Sequence, residues 1–434
     1  MNRVKISGYN IKSSKKIFIS GSKSESNRAL ILKSLFSSDV TINNLSTSDD
    51  TKVLLEALAS NDKIINIHHA GTAMRFLTSL FAITNKKNII LTGSSRMKER
   101  PIGELVESLK LLGANITYEE KFGYPPLRFD GFIQKNNLIK LRSDISSQFV
   151  SSLMMVAPIL DNGLRIKLIG KIFSKPYILL TSSIMKKFGL NCIINGDEIE
   201  IKPNKKLSIK KYNIESDWSS ASYLYSIVAL SGLQINLSTY KSNSFQGDSV
   251  LSKLYENFGV ETYFENEEIV LKKSKQQKIN IELNLIDNPD LAQTIIVTSL
   301  GLSIPTKLTG LNTLKIKETD RLKALKTEIS KFNVDVMVDD ESIEIKNFPD
   351  KLPENIEIDT YDDHRMALAF SPLSVLVKLI INDSNVISKS FPEYWSILKN
   401  LNFEIQFINQ LLFFLTTPCL RMYIYALKFT YETI

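Results

Sequence analysis

The stretch Leu109-Lys110-Leu111-Leu112-Gly113-Ala114-Asn115-Ile116 reads as the last turn of an amphipathic helix, a glycine, and the start of a strand. Met185-Lys186-Lys187-Phe188-Gly189-Leu190-Asn191-Cys192 repeats the phrase, as does Leu254-Tyr255-Glu256-Asn257-Phe258-Gly259-Val260-Glu261. Ile329-Ser330-Lys331-Phe332-Asn333-Val334-Asp335-Val336 and Leu398-Lys399-Asn400-Leu401-Asn402-Phe403-Glu404-Ile405 complete the series. Each helix stops at a Gly or Asn, the residues that tolerate a left-handed cap. The caps at 113, 189, 259, 333 and 402 are 76, 70, 74 and 69 residues apart. A weaker copy, Leu54-Leu55-Glu56-Ala57-Leu58-Ala59-Ser60-Asn61, lies 52 residues before the first. A period of about 70 residues exceeds the usual solenoid repeats and accommodates two helices and several strands. Six such units predict an α/β protein. The plainer reading is that any α/β chain contains helix–glycine–strand phrases.

With 434 residues the chain exceeds one ordinary core, and two domains are expected. Hydrophobic residues at 43% and charged residues at 23% exclude a disordered, collagen-like or disulfide-scaffold chain. Lys+Arg 54 against Asp+Glu 46 leaves a net charge of +8, spread along the chain, which suggests anionic ligands rather than a nucleic-acid-binding arm. Cys192 and Cys419 are too few for a disulfide framework or a multi-cysteine zinc site. His68, His69 and His364 are too few for a His-rich metal centre. No long apolar run follows Met1, so no signal peptide is expected and a cytoplasmic setting is the default.

Helix starts form a second pattern. Ser22-Lys23-Ser24-Glu25 reads as a capping box ahead of Ala29-Leu30-Ile31-Leu32. Gly71-Thr72, Ser146-Ser147, Ser174-Lys175-Pro176, Asp217-Trp218-Ser219-Ser220, Asp287-Asn288-Pro289-Asp290 and Asp362-Asp363 each precede an apolar run. Lys23, Arg28, Arg75, Lys175, Lys317, Arg321 and Arg365 lie within a turn of such starts. A cation there opposes the helix dipole by a few tenths to about 1 kcal/mol. Repeated, the arrangement suggests that anions sit at these N-termini, where free N–H groups already favour phosphate or carboxylate. Singly, each cation would be a solvated surface residue.

Eight phrases in order carry a family resemblance: Lys23-Ser24-Glu25-Ser26-Asn27-Arg28, Ala70-Gly71-Thr72-Ala73-Met74-Arg75, Arg96-Met97-Lys98-Glu99-Arg100-Pro101-Ile102-Gly103, Ser146-Ser147-Gln148, Ser174-Lys175-Pro176-Tyr177, Lys317-Glu318-Thr319-Asp320-Arg321, Asp363-His364-Arg365-Met366-Ala367 and Lys389-Ser390-Phe391-Pro392. Across residues 20–392 the chain resembles the 5-enolpyruvylshikimate-3-phosphate synthases, the enolpyruvyl transferases of the shikimate pathway. The resemblance implies an inside-out α/β barrel fold of two globular domains, each of three βαβαββ-type repeats. Residues 1–20 plus 216–406 would form one domain and 21–215 the other, with the two crossovers as hinge. Residues 407–434 would be an atypical extension.

The reaction implied transfers the enolpyruvyl group of phosphoenolpyruvate to the 5-hydroxyl of shikimate 3-phosphate, through a tetrahedral adduct, with release of phosphate. Lys23, Gly71, Arg100, Gln148, Arg321, Arg365 and Lys389 match the phosphoenolpyruvate site. Ser24, Arg28, Ser146, Ser147, Gln148, Ser174, Tyr177, Asp290 and Lys317 match the shikimate 3-phosphate site. Asp290 matches the base for the hydroxyl, Glu318 the carboxylate serving the methylene carbon, and Lys23 a further catalytic group. His364 is given a supporting electrostatic role. No cofactor or metal, no nucleic acid and no membrane are implied, and a monomer is expected. Without the motif context Asp290 would be a helix cap, and Lys317-Glu318 a solvated charge run.

Departures are His69 and Phe76 beside the phosphoenolpyruvate loop, where many members carry Asn and Pro, and Thr313, where some carry Asn. The first two bear on sensitivity to glyphosate, the family's competitive inhibitor. The run Leu411-Leu412-Phe413-Phe414-Leu415 is cut by Pro418 and Arg421, too soon for a membrane span. The related transferase acting on UDP-N-acetylglucosamine carries a loop cysteine, whereas Arg96 to Gly103 has none. An RNA-binding protein would interleave aromatics with its basic stripe and has no use for Asp290 and Glu318. An inactive paralogue is the remaining alternative.

Overall fold

A computed structural model describes residues 2–8, 16–84, 87–142, 146–170, 172–275 and 280–409. Four of the five repeated phrases lead into hairpins, and the fifth leads into a strand that pairs with the N-terminal strand. Gly113, Gly189, Gly259, Asn333 and Asn402 all have positive φ, between 58° and 117°. Each turns the chain from a helix into a strand of one four-stranded sheet.

In one such sheet Ile64–Asn66 runs parallel to Lys87–Thr92. The latter pairs antiparallel with Leu127–Phe132, which pairs antiparallel with Ala114–Tyr118. The same order builds sheets beginning at Leu138–Arg142, Lys16–Phe18, Ile281–Asn284 and Asn355–Ile358. In the last of these the N-terminal strand Asn2–Ser7 fills the third place, between Lys378–Ile381 and Glu404–Asn409. That final strand reaches Asn409, and residues 410–434, with Cys419 and the apolar run, lie outside the described residues.

The sixth unit is smaller. Among the described residues it keeps one parallel pair, Thr41–Asn43 with Lys211–Asn213. The weak phrase explains this. The helix Asp49–Ala59 ends at Ser60 in an extended conformation (φ −73°, ψ 142°), so the chain runs on into the next sheet instead of reversing into a hairpin.

Two hydrophobic cores result. One draws on Val4 to Ile19 and Trp218 to Phe403, the other on Ala29 to Ile214. The chain crosses between them at Gly21 and Ser216, which bridge antiparallel, while the Ser22 N–H donates to the Glu215 carbonyl at 2.8 Å. Here the capping-box expectation fails. Ser22 makes no side-chain cap bond, and Glu25 turns toward the crossover to accept the Tyr212 hydroxyl at 2.7 Å. Burial pushes the Glu25 carboxyl up to about 7.

Each parallel pair has a helix, packed inward, that precedes one of its strands along the chain. Lys23–Leu35, Gly71–Ile83 and Ser147–Val156 pack together in one lobe. Trp218–Ser231, Ala292–Gly301 and His364–Phe370 do so in the other. Apolar side chains cover them; every residue from Gly71 to Ile83 is buried. The N-terminal ends of both trios open into one cleft.

Candidate active site

The cleft is an anion trap by construction. Six inner helices present their first residues to it, each N-terminus carrying about half a positive charge. The extended N-cap residues Ser146, Asp217 and Asp363 accept the backbone N–H of Gln148, Ser220 and Arg365. Those bonds fix the starts from which the site side chains project.

Every site residue expected from the sequence lines this cleft except Lys389, which reaches it through Glu318. On the lobe whose core draws on Ala29 to Ile214, Lys23 pairs with buried Asp50 at 3.2 Å. Ser24, Ser146 and Ser147 stand at helix starts beside it. The Gln148 amide nitrogen lies 3.4 Å from the Thr72 hydroxyl. Gly71 is where Arg75 and Arg100 meet. A Cβ on residue 71 would lie 2.7 Å from the Arg100 guanidinium and 3.3 Å from that of Arg75. No carboxylate pairs with either among the described residues, and the Arg100 Nε is buried without a partner. Burial, then the adjacent Arg100, push the Arg75 guanidinium well below its usual range. Two cations share one spot over Gly71.

Arg28 is differently placed. It is 1% exposed, and four of its N–H groups are already directed at Thr181, Ser24, Ser151 and the Tyr177 carbonyl. Its guanidinium stacks 5.3 Å above the Phe76 ring. Phe76 therefore touches the site through Arg28 and does not line the cleft. Thr313 does line it, with a buried hydroxyl that has no partner among the described residues.

The opposite lobe carries a buried ionic network. Arg321 donates from Nε to Asp363 at 2.6 Å, from one terminal nitrogen to Asp290 at 2.9 Å, and from the other to Glu318 at 2.8 Å. Asp290 also meets Arg365 at 3.2 Å and Lys317 at 3.5 Å. Glu318 also accepts from Lys389 at 2.8 Å. Burial raises both carboxyls, but the cations outweigh it: Arg365, Lys317 and Arg321 hold Asp290 well below the usual range, and Lys389, Arg321 and Arg100 do so for Glu318. Both are carboxylates. The lobes touch across it where the Tyr177 hydroxyl donates to Asp290 at 3.2 Å and the Arg96 Nε to the Glu318 carbonyl at 3.3 Å.

Sequence reading gave Asp363 and Asp50 no role, and marked Arg75 only as one of the cations near a helix start. Asp363 read only as a helix start, and it is one. It also grips Arg321 from 42 residues away, a contact only the fold creates. His364, expected to have a supporting electrostatic role, is buried at the start of its helix. Burial first, then Lys23 and Lys389, push its imidazole well below the usual range, so it is neutral at pH 7. Such a group stabilises the fold above the unfolded histidine value near 6.5, and that contribution fades as pH falls. His364→Gln is expected to flatten the loss of Tm between pH 7 and 5 by about one proton's slope. Parallel melting curves for the two proteins would rule this out.

An inside-out α/β arrangement with a cationic, carboxylate-bearing cleft between two lobes is the architecture of the enolpyruvyl transferases. The family model for EPSP synthase (3-phosphoshikimate 1-carboxyvinyltransferase) matches residues 10–61 and 58–398. The 3-phosphoshikimate 1-carboxyvinyltransferase of Bacteroides fragilis strain YCH46 is 41% identical over 395 residues, covering 90% of this chain and 96% of the relative. That of Vibrio campbellii is 35% identical over 411 residues, covering 88% and 95%. An EPSP synthase structure from Acinetobacter baumannii superposes with a TM-score of 0.75 at 18% identity, over 94% of this chain and all of that one. The chain belongs to the EPSP synthase family. Among the described residues no helix is long and apolar enough to cross a membrane.

Proposed function

We propose that this chain transfers the enolpyruvyl group of phosphoenolpyruvate to the 5-hydroxyl of shikimate 3-phosphate, releasing phosphate, in aromatic amino acid biosynthesis. The observation that carries the reading is the pair of partly buried carboxylates, Asp290 and Glu318, threaded among cations from both lobes. Two polyanions held side by side need such a cleft, and their reaction needs two proton-transfer groups.

In this reading phosphoenolpyruvate lies against Lys23, Gly71, Arg100, Gln148, Arg321, Arg365 and Lys389. Arg75 shares the load over Gly71. Shikimate 3-phosphate is held by Ser24, Arg28, Ser146, Ser147, Gln148, Ser174, Tyr177, Asp290 and Lys317. The depressed carboxyls acquire a purpose when the substrates bind. Substrate phosphate and carboxylate engage Arg100, Arg321, Arg365, Lys317 and Lys389, which had kept Asp290 and Glu318 ionised. Both carboxyls then rise toward useful proton affinity. Asp290 takes the proton of the 5-hydroxyl as its oxygen bonds to the enol carbon, and the methylene gains a proton to become methyl. Glu318, with Lys23 beside the phosphate, handles that second proton. Elimination reverses it: the methyl loses a proton, the C–O bond to phosphate breaks, and the enol ether remains.

The domains 1–20 plus 216–406 and 21–215 act as the two closing bodies, hinged at the paired crossovers. Closure excludes water and strengthens every charge interaction inside. The reading needs one monomer and no metal, cofactor or nucleic acid, and a cytoplasmic setting suits it.

Phosphate release by the purified protein is the direct test. Release is expected only when phosphoenolpyruvate and shikimate 3-phosphate are both present. Silence from folded protein, or release from phosphoenolpyruvate alone, would end the reading.

A further inference from the structure

Gly247 opens the short helical turn Gly247–Val250, in the lobe that carries Asp290. Its φ is not positive, so its backbone conformation does not call for glycine. Space does. A Cβ on residue 247 would lie 2.3 Å from the Cβ of Pro176 and 3.0 Å from its Cγ, and Pro176 belongs to the other lobe. Carbons in contact sit about 3.5–4.0 Å apart, so alanine there requires the two walls to part by roughly 1.5 Å.

Neither wall is free to yield. Beside Gly247, the Gln246 amide accepts the Trp218 N–H at 3.0 Å and donates to the Ser216 carbonyl at 2.9 Å. On the other side Asp248 accepts from Asn288 at 3.1 Å and from the Ser219 hydroxyl. Pro176 is held as firmly. It lies in the first turn of Lys175–Lys187, behind Ser174, whose left-handed backbone (φ 54°) directs its N–H to the Ile286 carbonyl of the opposite lobe at 3.1 Å. The contact is at the rim of the cleft, beside Ser174 and Tyr177, which line it.

We propose that Gly247 is a positioning residue for the transfer reaction: its missing side chain lets the Pro176 ring seat against the opposite lobe, and that seating sets how closely the two walls of the cleft approach. The proposal rests on the enolpyruvyl-transfer reading, because it assigns the contact a part in bringing Tyr177 and Ser174 to the wall that carries Asp290. A displacement of about 1 Å in a site of this kind costs on the order of 100-fold in rate.

Gly247→Ala, Pro176→Gly and the double variant are compared with the parent full-length chain. Three quantities are read: kcat and KM for both substrates, the radius of gyration with and without substrates, and Tm without substrates. Gly247→Ala is expected to lose about 100-fold in kcat/KM and to compact less with substrates, at an unchanged substrate-free Tm. Gly247→Val deepens the loss. Removing the Pro176 ring in the double variant restores at least about tenfold, a rescue that a purely structural glycine would not give. Parent-like kcat/KM for Gly247→Ala, a double variant no better than the single one, or a Tm drop that tracks the activity loss would each overturn the proposal. If the parent itself shows no turnover, the transfer reading fails, and substrate-induced compaction and its rescue alone decide the steric one.

Discussion

Asp290→Asn lowers kcat by about 10³-fold while shikimate 3-phosphate binds at least as tightly as to the parent protein. The asymmetry comes from the network. Asp290 neutralises Arg365, Lys317 and Arg321, at 3.2, 3.5 and 2.9 Å. Asparagine keeps the shape and removes the charge, so the cations are left to attract substrate anions more strongly. It cannot accept the hydroxyl proton. A loss of binding that parallels the loss of turnover would mean that Asp290 holds the site together rather than acting in the chemistry. Turnover near normal would remove it from the proton transfer altogether. Titration calorimetry for the acceptor and initial rates for kcat separate these outcomes.

Arg321→Gln is the largest stability effect expected. Arg321 is 2% exposed and serves Asp363, Asp290 and Glu318 at once. Breaking a buried pair from one side costs about 3–5 kcal/mol, or roughly 6–20 °C of Tm for a lobe of this size. kcat/KM for phosphoenolpyruvate falls by about 10³-fold as well, because the same guanidinium faces the cleft. The pH dependence has a definite sign. Asp290 and Glu318 are held below the carboxylate range, so their contribution is present above the unfolded value near 4 and is lost as pH falls through their lowered folded values. The Tm gap between parent and Arg321→Gln is therefore full at pH 7 and narrows below about pH 4. A gap of constant width would show that packing, rather than charge, is what the substitution removed.

The repeat was legible in the sequence because a helix that turns directly into a strand needs one left-handed residue, and Gly113, Gly189, Gly259, Asn333 and Asn402 are the kinds that provide it. Asn61 looked similar, yet the chain has already straightened at Ser60 and no sheet of four forms there. Cations at helix starts marked where the site lies, since a charge opposed to a helix dipole calls for an explanation that a solvated lysine does not. What the chain order hides is which starts face one another. Arg321 meets Asp363 and Asp290, separated from it by 42 and 31 residues, only because three repeats pack around one axis. Arg75 was marked only as a cation near a helix start, and its convergence with Arg100 over Gly71 is what the fold adds. Arg28 illustrates the reverse: most of its donors are spent on its own lobe, which spacing along the chain does not reveal.

The strand Asn2–Ser7 is the third member of a sheet whose other members begin at Asn355, Lys378 and Glu404. On the ribosome, which adds roughly 5–20 residues per second, that strand waits on the order of 20–80 s for partners not yet made. The lobe 21–215 lies between and depends on no later strand of the other lobe for its sheets. The second lobe to be completed thus holds both ends of the described chain. A nascent chain stalled near residue 370 would carry a protease-resistant lobe of residues 21–215, flanked by an N-terminal strand still open to attack.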